Sequence, residues 1–165
     1  MICLHHTDSP LGGITLAGDG EALCGLWFDG QKYFGAGLPT DCGERMLPVF
    51  AETERWLKAF FSGKCPAFTP PLAPRGTAFQ KSVWDVLLTI PYGQTRSYGE
   101  IAAQLAEARG LPRLSAQAVG GAVGRNPISL LIPCHRVIAA DGSLRGYAGG
   151  LEKKRYLLQL EAGDQ

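Results

Sequence analysis

Cys134, His135 and Arg136 stand consecutively after the apolar run Leu130-Leu131-Ile132 and a proline, Pro133. A thiolate is the strongest common side-chain nucleophile, and nearby positive charge or a helix N-terminus makes it available. An imidazole and a guanidinium next to the thiol are groups of that kind. The same pattern also suits a structural thiol, because free cysteine is among the most buried residue types. In an extended strand, moreover, neighbouring side chains point to opposite faces, so His135 need not touch Cys134. The surroundings of the motif have to decide between these readings.

The elements that must position it begin upstream. Thr77-x-x-Gln80 and Ser97-x-x-Glu100 are capping boxes and predict two helix starts. Phe79, Val83, Val86, Leu87 and Ile90 fall on one face of the first helix, which Pro91-Tyr92-Gly93 ends. Ile101 and Leu105 point inward on the second, with Gly110 at its exit. Ser115 caps a third helix over 116–124. Helices joined by short turns are the ingredients of a helix-turn-helix, a unit also common in proteins that never meet DNA. The third helix carries Gly120, Gly121 and Gly124, each costing about 1 kcal/mol relative to alanine in a helix interior. Something must approach that backbone closely, either a neighbouring strand or a nucleic-acid backbone. A phosphate-binding loop is excluded, since no strand precedes these glycines and no Gly-Lys-Ser/Thr follows.

Downstream of Cys134, Ala140-Asp141-Gly142-Ser143 predicts a tight turn. Leu144-Arg145-Gly146-Tyr147-Ala148-Gly149-Gly150 is then a glycine-rich loop with one aromatic ring, whose amides suit a flat ligand. A final amphipathic helix runs from Leu151 to Glu161 and stops at Gly163.

The first half looks chemically blank. Ile14 to Ala17 and Leu23 to Phe28 flank Gly18-Asp19-Gly20, a hairpin signal. Residues 29–45 are glycine-rich and irregular. From Pro48, the residues Val49, Phe50, Trp56, Leu57, Phe60 and Phe61 predict an amphipathic helix on the sheet, with Gly63 as its stop. Cys3, His5 and Cys24 match no zinc spacing. Residues 64–76 hold four prolines, which suit a stiff link rather than helix or central strand. The expected organisation is a domain over 1–74, linker included, and a second over 75–165.

Composition bounds the rest. The 165 residues, 45% of them hydrophobic, suit an ordinary globular protein. The net charge of +1 divides unevenly: residues 1–74 hold 5 basic and 8 acidic side chains, residues 75–165 hold 11 and 7. A basic second half fits an anionic partner as well as a solvated surface. Five cysteines without a C-x-x-C pair argue for a reducing cytoplasm rather than a disulfide framework. No signal peptide and no membrane-spanning stretch are expected.

Asn126-Pro127, Ile132-Pro133-Cys134-His135-Arg136-Val137 and Gly146-Tyr147-Ala148-Gly149-Gly150 closely resemble motifs of the methylated-DNA–protein-cysteine methyltransferases, which act on 6-O-alkylguanine. The resemblance is strong over 77–161. Over 1–70 only the sheet-plus-helix character agrees. It implies an α+β fold: a small N-terminal antiparallel β-sheet with a helix, ribonuclease-H-like, then a mainly helical domain containing a helix-turn-helix. It implies Cys134 as alkyl acceptor, partly ionised and reachable by a purine swung out of the duplex. His135 and Glu161 then form, through a water, the chain that draws the thiol proton away. Asn126 braces the turn between recognition helix and active-site strand, and Arg136 is a buried structural arginine. Tyr98 helps rotate the nucleotide; Tyr147 and the Ala148 amide line the base pocket; the carbonyls of Cys134 and Val137 accept from the guanine amino group. Val123 and Ser129 are expected to set pocket size. The DNA face comprises Ser97, Arg113, Gln117, Ala118, Gly121 and Arg125, lying in the minor groove. The partner implied is duplex DNA carrying alkylated guanine, met by a monomer without metal or cofactor.

Two departures stand out. Gln117 occupies the place of the family's intercalating arginine and brings no charge. The loop 107–114 looks long and carries Arg109 and Arg113, which are expected to restore phosphate attraction. Two other functions fit parts of the pattern. A non-catalytic reader of alkylated DNA typically has tryptophan in place of the reactive cysteine. A cysteine hydrolase needs an oxyanion hole and a less awkward geometry than adjacent Cys and His provide.

Overall fold

Three strands joined by tight turns use the first 28 residues: β1 (Cys3–Ser9), β2 (Gly12–Gly18) and β3 (Leu23–Phe28). The computed structural model describes residues 1–163. β1 pairs with β2 and β2 with β3, both antiparallel. Asp19 closes the predicted hairpin, its Oδ1 accepting from the amides of Glu21 and Ala22 at 2.9 Å. A short fourth strand, β4 (Gly43–Glu44), lies in the stretch expected to be irregular. It joins β1 in parallel, so the sheet, ordered β3-β2-β1-β4, is not wholly antiparallel. Helix α1 (Pro48–Phe61) starts on its proline, whose missing N–H is no loss in a first turn. It buries Val49, Phe50, Trp56, Leu57 and Phe60. Gly63, at φ +90°, follows its end as predicted.

The proline-rich link runs along the outer edge of β3. Leu23 N donates to Pro71 O and Ala73 N to Leu23 O, both at 2.8 Å. Farther along the same edge, Leu26 N donates to Pro127 O at 2.9 Å and Ser129 N to Leu26 O at 3.1 Å. An exposed sheet edge is thereby covered, partly by the segment that leads to Cys134. One apolar core continues from Ile14, Phe28 and Phe60 to Trp84, Val119, Ile132 and Leu157.

The second half holds α2 (Ala78–Leu87), β5 (Arg96–Ser97), α3 (Tyr98–Ala108), α4 (Ala116–Gly124), β6 (Val137–Ile138) and α5 (Leu151–Ala162). Both capping boxes form, and Ser115 Oγ accepts from Ala118 N at 3.1 Å. The apolar run 130–132 is a buried turn, with Leu130 at φ +75°. Cys134–Arg136 is a single 3-10 turn, not the strand expected from the run before it. An apolar run cannot distinguish a strand from a buried turn by periodicity. Among the described residues no helix is long and apolar enough to cross a membrane.

Trp84, fully buried on α2, ties that helix to α4 by donating Nε1–H to Ala122 O at 2.9 Å. Trp84→Phe removes that bond and leaves Ala122 O only its bond from Arg125 N, so the variant is expected to destabilise the fold by about 1 kcal/mol. The check is a lower urea midpoint at unchanged slope.

Candidate active site around Cys134

A 3-10 turn has three residues per revolution, so consecutive side chains splay about 120° apart. This resolves how adjacent residues serve different ends: Cys134 lines a cavity, while His135 and Arg136 meet α5. Glu161, in the last turn of α5, receives them both. Its carboxylate is 2.6 Å from His135 Nε2 and 2.8 Å from Arg136 Nε, and accepts Arg136 Nη2 at 2.9 Å and Gly93 N at 3.1 Å. Arg136 also donates through Nη1 to Ile90 O at 2.7 Å. Burial pushes the Glu161 carboxyl up, but hydrogen bonds and charge from His135 and Arg136 outweigh it and hold it at about 2. Burial lowers His135 despite the pull of Glu161. The ring is therefore neutral, Nε2–H donates to the carboxylate, and Nδ1 keeps its lone pair. Nδ1 is buried and has no hydrogen-bond partner among the described residues.

Cys134 is 5% exposed. Burial raises its thiol above the ordinary value, opposed by the Asn126 side chain and the charge of Lys154. The expectation of a partly ionised sulfur is thus corrected: at rest the group is a thiol, because desolvation outweighs the nearby charge. The structure brings in Lys154, which the sequence reading missed. Its side chain is wholly buried, Nζ donates to Arg145 O at 3.0 Å and Gly146 O at 3.2 Å, and burial lowers it to about 8. Its signal was a cation three residues before Leu157 and seven before Glu161, on the inner face of α5.

The cavity beside Cys134 measures about 360 Å³, within the range that takes small ligands. Tyr98, Val123, Tyr147 and Ala148 line it as expected, together with glycines of α4 and two unforeseen residues, Lys32 and Tyr33. Ser129 and Val137 do not line it. Ser129 is buried behind the wall and Val137 is fully buried, its N–H donating to the Cys134 carbonyl. The explanation for the glycines of α4 is likewise one-sided. A Cβ at Gly121 or Gly124 would meet nothing within 4 Å, so among the described residues no strand packs there. The open faces are cavity wall and surface.

The loop after β6 is pinned from three sides. Tyr98 Oη donates to Arg145 O at 2.8 Å, the carbonyl that Lys154 also holds. Lys32 N donates to Ala148 O at 3.0 Å. Phe28 backs the Tyr147 ring, 6.5 Å between centroids, and a Cβ at Gly149 would come within 2.9 Å of that ring. Ala148 N–H has no acceptor among the described residues. Asn126 spans the turn before Cys134, donating to Ile132 O at 2.7 Å and accepting from Ile128 N at 2.9 Å.

On the outer surface, Gln117, Ala118, Gly121 and Arg113 are exposed, while Ser97 uses its hydroxyl to cap Glu100 N at 3.0 Å. Arg125 lies 4.0 Å over the Tyr33 ring and Arg109 lies 5.8 Å over Phe79. Cys3, His5 and Cys24 form no metal-binding group among the described residues.

The depressed Glu161 carboxyl fixes a pH dependence. A carboxylate held at about 2 when folded, against about 4.3 unfolded, stabilises the fold above the unfolded value and ceases to as pH falls toward 2. The contribution is about 3 kcal/mol. Glu161→Gln is expected to start less stable at pH 7 and to show a flatter acid limb, measured by denaturant unfolding at a series of pH values.

Comparison with known proteins agrees in both halves. Residues 2–74 match the family model described as 6-O-methylguanine DNA methyltransferase, ribonuclease-like domain. Residues 78–163 match the corresponding DNA binding domain. A methylated-DNA–protein-cysteine methyltransferase of Methanosarcina barkeri is 50% identical over 155 residues, 93% of each chain. The enzyme of that name from Mycobacterium tuberculosis is 48% identical over 162 residues, covering 98% of this chain and 93% of its own. The crystal structure of M. tuberculosis OGT in complex with DNA superposes with a TM-score of 0.84 at 43% identity, covering 98% and 93% of the two chains. With both halves matched and nearly the whole chain aligned, this protein belongs to the 6-O-methylguanine DNA methyltransferase family.

Proposed function

We propose that this protein repairs alkylated DNA by moving the alkyl group of 6-O-alkylguanine onto Cys134, once per molecule. The observation that carries this reading is the placement of the Cys134 thiol in the wall of the 360 Å³ cavity, between α4 and the loop at 146–148.

A lesion inside a stacked duplex cannot reach a buried thiol, so the nucleotide must be flipped out, at a few kcal/mol. Helix α4 enters the minor groove, where its small residues Ala118 and Gly121 allow close approach. Gln117 fills the gap left by the base; Ser97, Arg113 and Arg125 lie along the backbone. Tyr98 guides the nucleotide and the base rests against Tyr147, with Val123 opposite. The carbonyl of Cys134 has a second lone pair for the guanine amino group. Buried Ser129 and Val137 support this wall from behind.

Deprotonation begins at His135. Its free Nδ1 takes the thiol proton through a bridging water, and Glu161 stabilises the imidazolium. Lys154 stabilises the thiolate, and Asn126 and Arg136 hold the turn. Sulfur attacks the alkyl carbon in line as the carbon–oxygen bond breaks. The electron pair passes to the base oxygen, where Ala148 N–H stabilises the growing charge, and the displaced thiol proton finally resides on guanine. The product is a thioether, and no step removes it. Neither metal nor cofactor has a part. The acting species is a monomer in the cytoplasm, where unpaired thiols at all five cysteines fit a reducing compartment.

Titration with a duplex carrying 6-O-methylguanine is expected to plateau at one equivalent, with the intact mass raised by one methyl group. Cys134→Ser should show no gain. Sustained turnover would refute the reading. A second expectation concerns the DNA face. Arg109 and Arg113 are both exposed, but Arg109 lies over the Phe79 ring while Arg113 has no such contact among the described residues. Arg113→Ala should therefore reduce the slope of log affinity against log salt by about 0.9, the loss of one phosphate contact. An unchanged slope would count against that contact.

A further inference from the structure

Lys32 and Tyr33 are the residues of the first half that reach the Cys134 cavity. They lie between β3 and β4, outside any strand or helix. Tyr33 has φ +61°, a left-handed conformation unusual for a bulky residue. Such strain persists only where the surroundings over-determine it, and here three contacts do. Arg125 sits 4.0 Å from the ring centroid, Lys32 Nζ sits 5.2 Å from it, and Lys32 N is tied to Ala148 O at 3.0 Å. The segment is thus fastened to the end of α4 and to the loop across the cavity.

The ring has a second side. It also lines a smaller cavity of about 180 Å³, together with Arg125, Asn126 and Pro127 but not Cys134. Arg125 belongs to the smaller cavity and not to the larger. Its guanidinium lies 4.0 Å from the ring centroid, and among the described residues Tyr33, itself 37% exposed, is the one that lines both spaces and so forms the partition between them. No group of the His135–Glu161 pair lines the space behind it. Removing the ring would enlarge the chamber without touching the proton-transfer groups.

We infer that Tyr33 is a specificity-determining residue whose ring limits the size of the alkyl group held between the extruded base and the Cys134 sulfur. The inference rests on the reading of Cys134 as alkyl acceptor. It assigns selection to the half of the chain that carries no reacting group. A large substituent is disfavoured while the partition stands, and a methyl group is indifferent to the space behind it.

The test uses the full chain and two otherwise identical duplexes, one with 6-O-methylguanine and one with 6-O-benzylguanine. Rate constants for Cys134 alkylation are followed by intact mass. Because both lesions sit in the same DNA, changes in DNA affinity cancel in the benzyl-to-methyl ratio. Tyr33→Ala and Tyr33→Gly are expected to raise that ratio about fivefold or more, while Tyr33→Phe, which keeps the ring, leaves it unchanged. Tyr33→Gly also relieves the left-handed backbone, so it provides a folded variant if Tyr33→Ala is unstable. A ratio unmoved in both ring-less variants, or two rates changing by one common factor, overturns the inference while leaving the parent reading intact. A wild-type protein that gains mass from neither duplex overturns the parent reading and this one with it.

Discussion

A carboxylate buried at the end of a helix is the constraint on which the rest of this fold depends. Glu161 stands in the last turn of α5, where the helix dipole disfavours negative charge. Taking it out of water costs several kcal/mol more unless its oxygens are hydrogen-bonded. Three parts of the chain meet that demand: the 3-10 turn through His135 and Arg136, the amide of Gly93, and, through Arg136, the carbonyl of Ile90. The end of α2, the Cys134 turn and α5 are therefore held in one arrangement. Burial leaves His135 neutral despite the pull of Glu161, and the bond between Nε2 and the carboxylate turns the unshared Nδ1 lone pair away from it. In the proposed mechanism, fold stability and proton acceptance come from one charge.

This arrangement explains how a reactive cysteine can be kept quiet. A thiol raised by burial is a poor nucleophile and a poor target for oxidation, since both need thiolate. The groups that favour ionisation, Asn126 and Lys154, are already in place but are outweighed by desolvation. Lys154 serves a second end, because its ammonium gathers the carbonyls of Arg145 and Gly146 and so shapes the loop that faces the sulfur.

What was legible in the sequence was local. Thr77 with Gln80, Ser97 with Glu100, and Gly63 and Gly163 mark helix ends within a turn of themselves, and all do so in the structure. The cysteine motif and the Tyr147 loop were legible for a different reason: their residue types are chemically distinctive. What escaped was set by distant contacts. β4 is only two residues long and exists by pairing with β1 some forty positions away. The turn at 134–136 was hidden behind an apolar run that suits a strand equally well. Lys154 escaped because lysine is almost never fully buried, so its residue type argues for the surface. Tyr33 lay in a glycine-rich stretch with no period to read.

The chemically blank first half consequently has a definite part in the site. The outer edge of β3 takes the segment 127–129 as a neighbour, which sets the height at which the chain enters the Cys134 turn. Phe28, at the end of that strand, backs the Tyr147 ring, and the next turn sends Lys32 to Ala148 and Tyr33 to Arg125. Several parts of the cavity lining are thus referred to one strand. A short strand buried on both faces is stiff because every residue of it is packed. Rigidity imported this way lets α4 remain rich in glycine and open on its outer face. The helix proposed to meet DNA does not also have to hold the chamber's shape.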